Sequence, residues 1–251
     1  MDPHSRFVKP EGSFLFADFG PMRDGTQHAV EICNFVSNLY DKPVLFASDL
    51  HKDCAAVIDF LLTFVRPWEW AFVSLGDMAG TDEFGSDGDP TEEYKRVHRS
   101  FRKFYFVDGN HDRPRERAYL LTNSDGSSCS LEGSPGSLGS ALVSGVSGIM
   151  SGRDVPGRVS KPVFEQRVTA ALETRDVHTL ATHDTPRVSG FQPEIGNSLL
   201  AEYVLTYKPV VHAFGHCHLC PAILQAGRTT FINADRRVVM LQPVNPPDPP
   251  P

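Results

Sequence analysis

Imidazoles, carboxylates and one carboxamide recur in short clusters along this 251-residue chain: Asp49-Leu50-His51, Gly76-Asp77, Gly109-Asn110-His111-Asp112, His183-Asp184 and Gly215-His216-Cys217-His218. Imidazole nitrogen with carboxylate and amide oxygen is a borderline ligand set, suited to Mn, Fe, Zn, Co or Ni rather than Ca. A carboxylate shared by two such ions holds them about 3.5–4 Å apart, the arrangement of two-metal hydrolytic sites. Residues two apart on an extended segment point the same way, so Asp49 with His51, or His216 with His218, can grip one ion or straddle a pair. An edge crowded with carboxylates and imidazoles is costly to bury without a cation.

Each cluster follows a short apolar run: Val44-Leu45-Phe46-Ala47, Ala71-Phe72-Val73-Ser74-Leu75, Phe104-Tyr105-Phe106-Val107, Thr179-Leu180-Ala181 and Val210-Val211-His212-Ala213-Phe214. Such runs read as buried strands. The gaps from Asp49 to Asp77, Asp77 to Asn110 and His183 to His216 are 28, 33 and 33 residues, each about one strand–helix unit. The clusters are therefore expected along one sheet edge, where α/β proteins bind ligands. Helices are predicted between the runs, over residues 52–66, from Asp89-Pro90 through 103, from Ser160 to about 175, and over 198–207 before Pro209. Earlier in the chain the pattern predicts a short strand at Phe14-Leu15-Phe16-Ala17 and a helix over about 26–40. Residues 122–152 hold 10 serines and 7 glycines, so the first half reads as a flexible loop. Ala141-Leu142-Val143 and Val146-Ser147-Gly148-Ile149 predict a short strand pair. The last nine residues contain six prolines and are expected to lie extended.

Composition narrows the class. Apolar residues make up 40% and charged residues 22%, which excludes a wholly disordered or fibrous chain. Lys+Arg number 24 against 31 Asp+Glu, a net charge of −7, so nucleic acid is possible as a partner but not favoured. The longest apolar stretch, 55–65, is broken by Asp59 and is too short to span a bilayer, and the N-terminus has no secretory pattern. Five cysteines, an odd number, fit reduced thiols and a cytoplasmic setting. Cys217-x-x-Cys220 has no second cysteine pair and reads as ordinary thiols rather than a zinc site.

Taken in order, Asp-x-His, Gly-Asp, Gly-Asn-His-Asp, a single His after a strand, and Gly-His-x-His resemble the calcineurin-like metallophosphoesterases, over Asp49 to His218. The resemblance implies an α/β fold of two packed mixed β-sheets flanked by helices, an αββα sandwich. It implies two divalent metal ions, one held by Asp49, His51 and His218, the other by Asn110, His183 and His216, with Asp77 bridging. His111 would stand beside the phosphate, with Asp112 orienting its ring. Residues 211–247, with Thr229-Thr230-Phe231-Ile232-Asn233-Ala234 and an Asn-Pro-Pro ending, also resemble the metallophosphoesterase-domain proteins of animal brain. On this reading the chain divides into an N-terminal strand/helix extension (1–42), the metallophosphoesterase domain (43–242) and a proline-rich tail (243–251). The expected activity is hydrolysis of a small phosphoester, as a phosphodiesterase on a nucleotide-like substrate, by direct attack of hydroxide formed from a shared water of lowered pKa. Arg113 and Arg187, close after the third and fourth clusters, are candidates to steer substrate. The alternatives are an interaction scaffold that keeps the fold without useful turnover, whose protein partner the sequence does not name, and a nuclease.

Overall fold

The computed structural model describes residues 30–79, 87–153, 155–174 and 176–244, and the backbone of two short strands before them. In chain order the strands are Phe7–Val8 (β1), Phe14–Leu15 (β2), Glu31–Ser37 (β3), Val44–Ser48 (β4), Ala71–Ser74 (β5), Lys103–Phe106 (β6), Gly136–Leu138 (β7), Ala141–Val146 (β8), Ile149–Met150 (β9), Arg158–Val159 (β10), Val177–Thr182 (β11), Val211–Phe214 (β12), Ile223–Ala226 (β13), Thr229–Asn233 (β14) and Arg237–Pro243 (β15). The helices are Cys54–Phe64 (α1), Thr91–Ser100 (α2), Glu116–Tyr119 (α3), Lys161–Leu172 (α4) and Ser198–Tyr207 (α5). One sheet runs β1-β3-β15-β4-β5-β6, with β2 also on β3, and the other runs β13-β14-β12-β11-β8-β7. Both are mixed. β4, β5 and β6 are parallel, as are β8, β11, β12 and β14, while β15 meets β4, β13 meets β14 and β7 meets β8 antiparallel.

Strand alternation builds the layers. Val44 and Phe46 of β4 and Val73 of β5 face Val143, Ala181, Ala213 and Ile232 of the second sheet, forming the inner core. Leu45, Phe72, Phe104 and Phe106 point the other way, onto Val57, Ile58 and Leu61 of α1 and Tyr94 and Val97 of α2. The second sheet's outer face, with Leu180, Phe214 and Phe231, is covered by Phe164 and Val168 of α4 and Leu200 and Val204 of α5. This is the α/β fold of two mixed sheets flanked by helices.

All five apolar runs are strands, and helices occupy the four intervals that follow the first of them. The helix expected over 26–40 is not present: residues 31–37 are β3, and 26–29 lie outside the described residues. Ile32, Cys33, Phe35 and Val36 suit a pleated, half-buried surface, and pairing with β15 along its whole length decides the conformation. Ala141 to Val146 is one strand, paired with β7 in a tight hairpin and with β11 on its other side, and not with 146–149; Ile149–Met150 pairs instead with Arg158–Val159. The proline tail from 245 also lies outside the described residues. No disulfide joins any of the five cysteines, and no helix among the described residues is long and apolar enough to cross a membrane.

Candidate metal centre

The carboxyl ends of β4, β5, β6, β11 and β12 open onto one edge, and the chain leaves each in a tight turn. Asp49, His51, Asp77 and His216 all have left-handed backbones, with φ between 44° and 68°. Non-glycine residues adopt that region at a cost, and such residues gather at functional sites. The turns also approach one another closely: a Cβ on Gly109 would overlap the Asp77 carboxylate.

At the centre lie Asp49, Asp77 and His183, all buried, each offering a donor atom within 4.8 Å of the others. His183 Nδ1 is 2.8 Å from Leu75 O and so donates to that carbonyl, which fixes the tautomer and aims Nε2 inward. Nε2 lies 3.3 Å from Asp77 Oδ2 and 3.0 Å from Asn110 Oδ1. Asp77 Oδ1 accepts from His111 N at 2.8 Å, and Asp49 Oδ2 accepts from Ser48 Oγ at 2.6 Å and His216 N at 2.9 Å. His51 Nε2 is 4.0 Å from Asp77 Oδ2, and its ring centre is 5.9 Å from that of His111; the His183 and His216 ring centres are 5.2 Å apart.

The electrostatics call for a cation. Burial, with Asp77 nearby, pushes Asp49 up to about 6, against the pull of His183. Burial works against charge on Asp77 as well, but His183 holds that carboxyl well below the usual range. His183 answers in kind: burial disfavours its cation, yet Asp77 and Asp49 lift it to about 10. Burial depresses His216 to about 3, with the His183 and Arg158 charges adding to the effect. A divalent ion among these donors would take the place of the His183 proton, and Asn110, whose Nδ2 has no hydrogen-bond partner, stands beside it. The donor set fits a borderline divalent metal.

His218 is turned to another task. Its Nδ1 is 2.9 Å from Asp235 O, and its Nε2 is 3.1 Å from Arg237 Nη2. Arg237 is 2% exposed and also donates to Glu31 Oε2, Leu219 O and Asn233 Oδ1. Asp112 differs from expectation too. Its oxygens accept from four backbone amides, of Asp77 (2.7 Å), Met78 (3.1 Å), Ala79 (3.2 Å) and Gly109 (2.9 Å), so it braces two motif turns against each other. No hydrogen bond joins it to the His111 ring, whose Nδ1 lies 3.4 Å from Asp87 Oδ1.

The two arginines proposed to steer substrate are otherwise engaged. Arg113 donates to Asn110 O, Asp112 O and Pro156 O and pairs with Asp87 at 3.0 Å. Arg187 is half exposed and lies 3.7 Å from Glu194. Sequence reasoning passed over Asp235, a buried carboxylate after β14 that burial and the Asp49 charge push up to about 8. It ends a sixth strand on the same edge, so the rule that marked the other clusters also applies to it.

The calcineurin-like phosphoesterase family model matches residues 42–220, more than two thirds of the chain. A solved structure from Thermus thermophilus superposes with a TM-score of 0.54 at 18% identity, covering 78% of this chain and 90% of that one. A second solved structure reaches 0.57 at 13% identity, covering 77% and 90%. At these identities the two structures speak for the fold. No curated protein matches the sequence.

Proposed function

The chain belongs to the calcineurin-like phosphoesterase family, and on that premise we propose that it is a dinuclear metal-dependent phosphoester hydrolase acting on a small phosphodiester or nucleotide-like substrate. The observation that carries the reading is the convergence of Asp49, Asp77 and His183 from three strand ends into one buried donor cluster. When bound, the divalent ions neutralise phosphoryl oxygens and lower the pKa of a shared water. In this reading Asp77 serves both ions, Asn110, His183 and His216 one of them, and Asp49 and His51 the other, with His218 joining the latter once its ring leaves Arg237.

The remaining work belongs to the chain's own groups. Leu75 O keeps the His183 proton on Nδ1, so Nε2 presents a lone pair at neutral pH once a cation replaces the proton. Asp77 Oδ1 pins the His111 backbone, and in this reading the His111 ring, beside His51, hydrogen-bonds a phosphoryl oxygen or protonates the leaving oxygen. Asp112 holds the turns that carry Asp77 and Asn110 at fixed separation. Within the family, a nearer kinship to the brain metallophosphoesterase-domain proteins is part of this proposal and rests on Thr229 to Ala234 and the Asn-Pro-Pro ending alone.

One observation favours a second reading, a weakly active scaffold: the commitment of His218 to Arg237. The test that separates them is hydrolysis of bis-p-nitrophenyl phosphate and p-nitrophenyl phosphate by metal-stripped protein, with and without Mn²⁺. Manganese-dependent turnover is expected, lost in Asp77→Asn and slowed ~10²–10⁴-fold in His111→Ala with metals retained. Metals bound without turnover would favour the scaffold, and protein that binds no metal would overturn both.

A further inference from the structure

The chain from β8 to α4 folds back onto the metal edge. Gly148 N donates to Asp108 O at 2.7 Å, Met150 N to Asp184 Oδ2 at 3.1 Å, and Arg113 Nη2 to Pro156 O at 3.0 Å. The short pair β9–β10 closes this excursion and sets Arg158 on the wall of a cavity of about 430 Å³. That wall includes Gly109 and Asp112 of the third motif, so the cavity adjoins the metal cluster. Arg158 also lines a neighbouring cavity of about 330 Å³, shared through Val159 and Arg167, where Arg153 joins the rim.

The cations of this trough are not equivalent. Arg113 is taken up by three carbonyls and Asp87, and Arg167 lies 3.2 Å from Glu132. Arg158 is half-buried and has no carboxylate within ion-pair distance among the described residues. The carboxylates on the same wall are occupied, Asp112 by backbone amides and Asp108 by the Tyr119 hydroxyl at 2.6 Å. A sheltered guanidinium with no carboxylate partner among the described residues, on the shared wall of two neighbouring cavities, is a seat for an anion.

We propose that Arg158 is a specificity-determining residue that binds a second phosphoryl group of the substrate, so that the chain prefers phosphoesters carrying two phosphoryl groups, of the nucleoside diphosphate type, over monophosphates. The proposal rests on the hydrolase reading in placing the first phosphoryl group at the metal edge. It also assigns a use to the Gly/Ser-rich excursion, which carries the second anion site to the first.

The probes are AMP and α,β-methylene-ADP, titrated calorimetrically into manganese-loaded protein at fixed free Mn²⁺. Wild-type protein is expected to bind the diphosphate about tenfold more tightly, the scale of one charge-assisted hydrogen-bonding group. Arg158→Gln should bring the two affinities within about twofold while binding manganese like wild type, and Arg158→Lys should keep about threefold. Equal affinities in wild type, or a preference that survives in Arg158→Gln, overturns the proposal. The readout needs no turnover: protein that prefers the diphosphate but hydrolyses no phosphoester defeats the hydrolase reading alone, and an active enzyme without the preference defeats this one alone.

Discussion

His183 and His218 are matched in geometry and opposed in charge. Each places Nδ1 on a backbone carbonyl, Leu75 O for one and Asp235 O for the other, and each turns Nε2 toward an ionised group. For His183 that group is the Asp77 carboxylate; for His218 it is the Arg237 guanidinium. The first ring is driven toward its cation, while burial and then Arg237 hold the second below its ordinary range. A metal ion gains from the His183 setting, but to use His218 it must first displace a buried arginine with four other partners. We therefore predict that His183→Ala weakens binding of the first Mn²⁺ by at least about tenfold, the lower end of what losing even a supporting partner of a ligand costs. His218→Ala should leave that first binding step within about threefold. Calorimetric titration of the metal-stripped proteins reads both, and equal losses would contradict the distinction.

At the level of elements, the strand-to-turn units were plain in the sequence because a buried parallel strand leaves an apolar run that ends abruptly in polar residues. The intervening helices were readable for a similar reason: Pro67 and Pro209 stop two of them, and Ser198 to Tyr207 forms as expected. What composition hid was the order of the 122–152 region, where Gly136, Gly139, Gly145 and Gly148 lie so close to their neighbours that a Cβ would overlap them. Asn123 bonds both Phe104 N and Phe104 O, and Phe106 pairs with Cys129 and Leu131 through its backbone, so the serine-rich stretch extends the β6 edge. The sequence of β3 does not announce a strand because its one long partner, β15, lies far along the chain, while β1 and β2 pair with it over only two residues each. Gly157 shows most directly why glycine is needed in the excursion. It has φ +76°, and a Cβ there would lie 2.7 Å from both Cα and O of Asn110. Gly157→Ala must strain its own backbone and push on a candidate ligand at once, at a cost of about 1–3 kcal/mol. Urea denaturation should show that loss. Manganese affinity should fall in the same variant, whereas a merely local strain would leave metal binding untouched.

Across the whole molecule, the metal edge is one end of a sandwich whose outer layer contains a second histidine of consequence. His212 sits on β12 with no exposure, between the rings of Phe214 and Phe231 at 5.4 Å and 5.7 Å. Nε2 meets Thr182 Oγ1 at 2.9 Å, and Nδ1 has no partner. Burial drops its pKa to about 3, below the ~6.5 of an unfolded chain. Between those values the unfolded chain takes up a proton that the folded protein refuses, so stability is full above pH 6.5 and falls as pH drops. At pH 5 the loss is about 2 kcal/mol, 1.4 kcal/mol for each unit below the unfolded pKa. Asp112 and Asp235, raised by burial to about 6 and about 8, act in the opposite sense, since they bind protons more readily folded than unfolded. Their contribution is common to wild type and to His212→Gln, so comparing the two isolates the histidine. For metal-stripped protein we predict that wild type loses about 2 kcal/mol more than His212→Gln between pH 7.5 and pH 5.0 in urea denaturation. Equal losses would mean that the ring takes up its proton inside the folded core, which would require the α4–α5 layer to admit water beside β12.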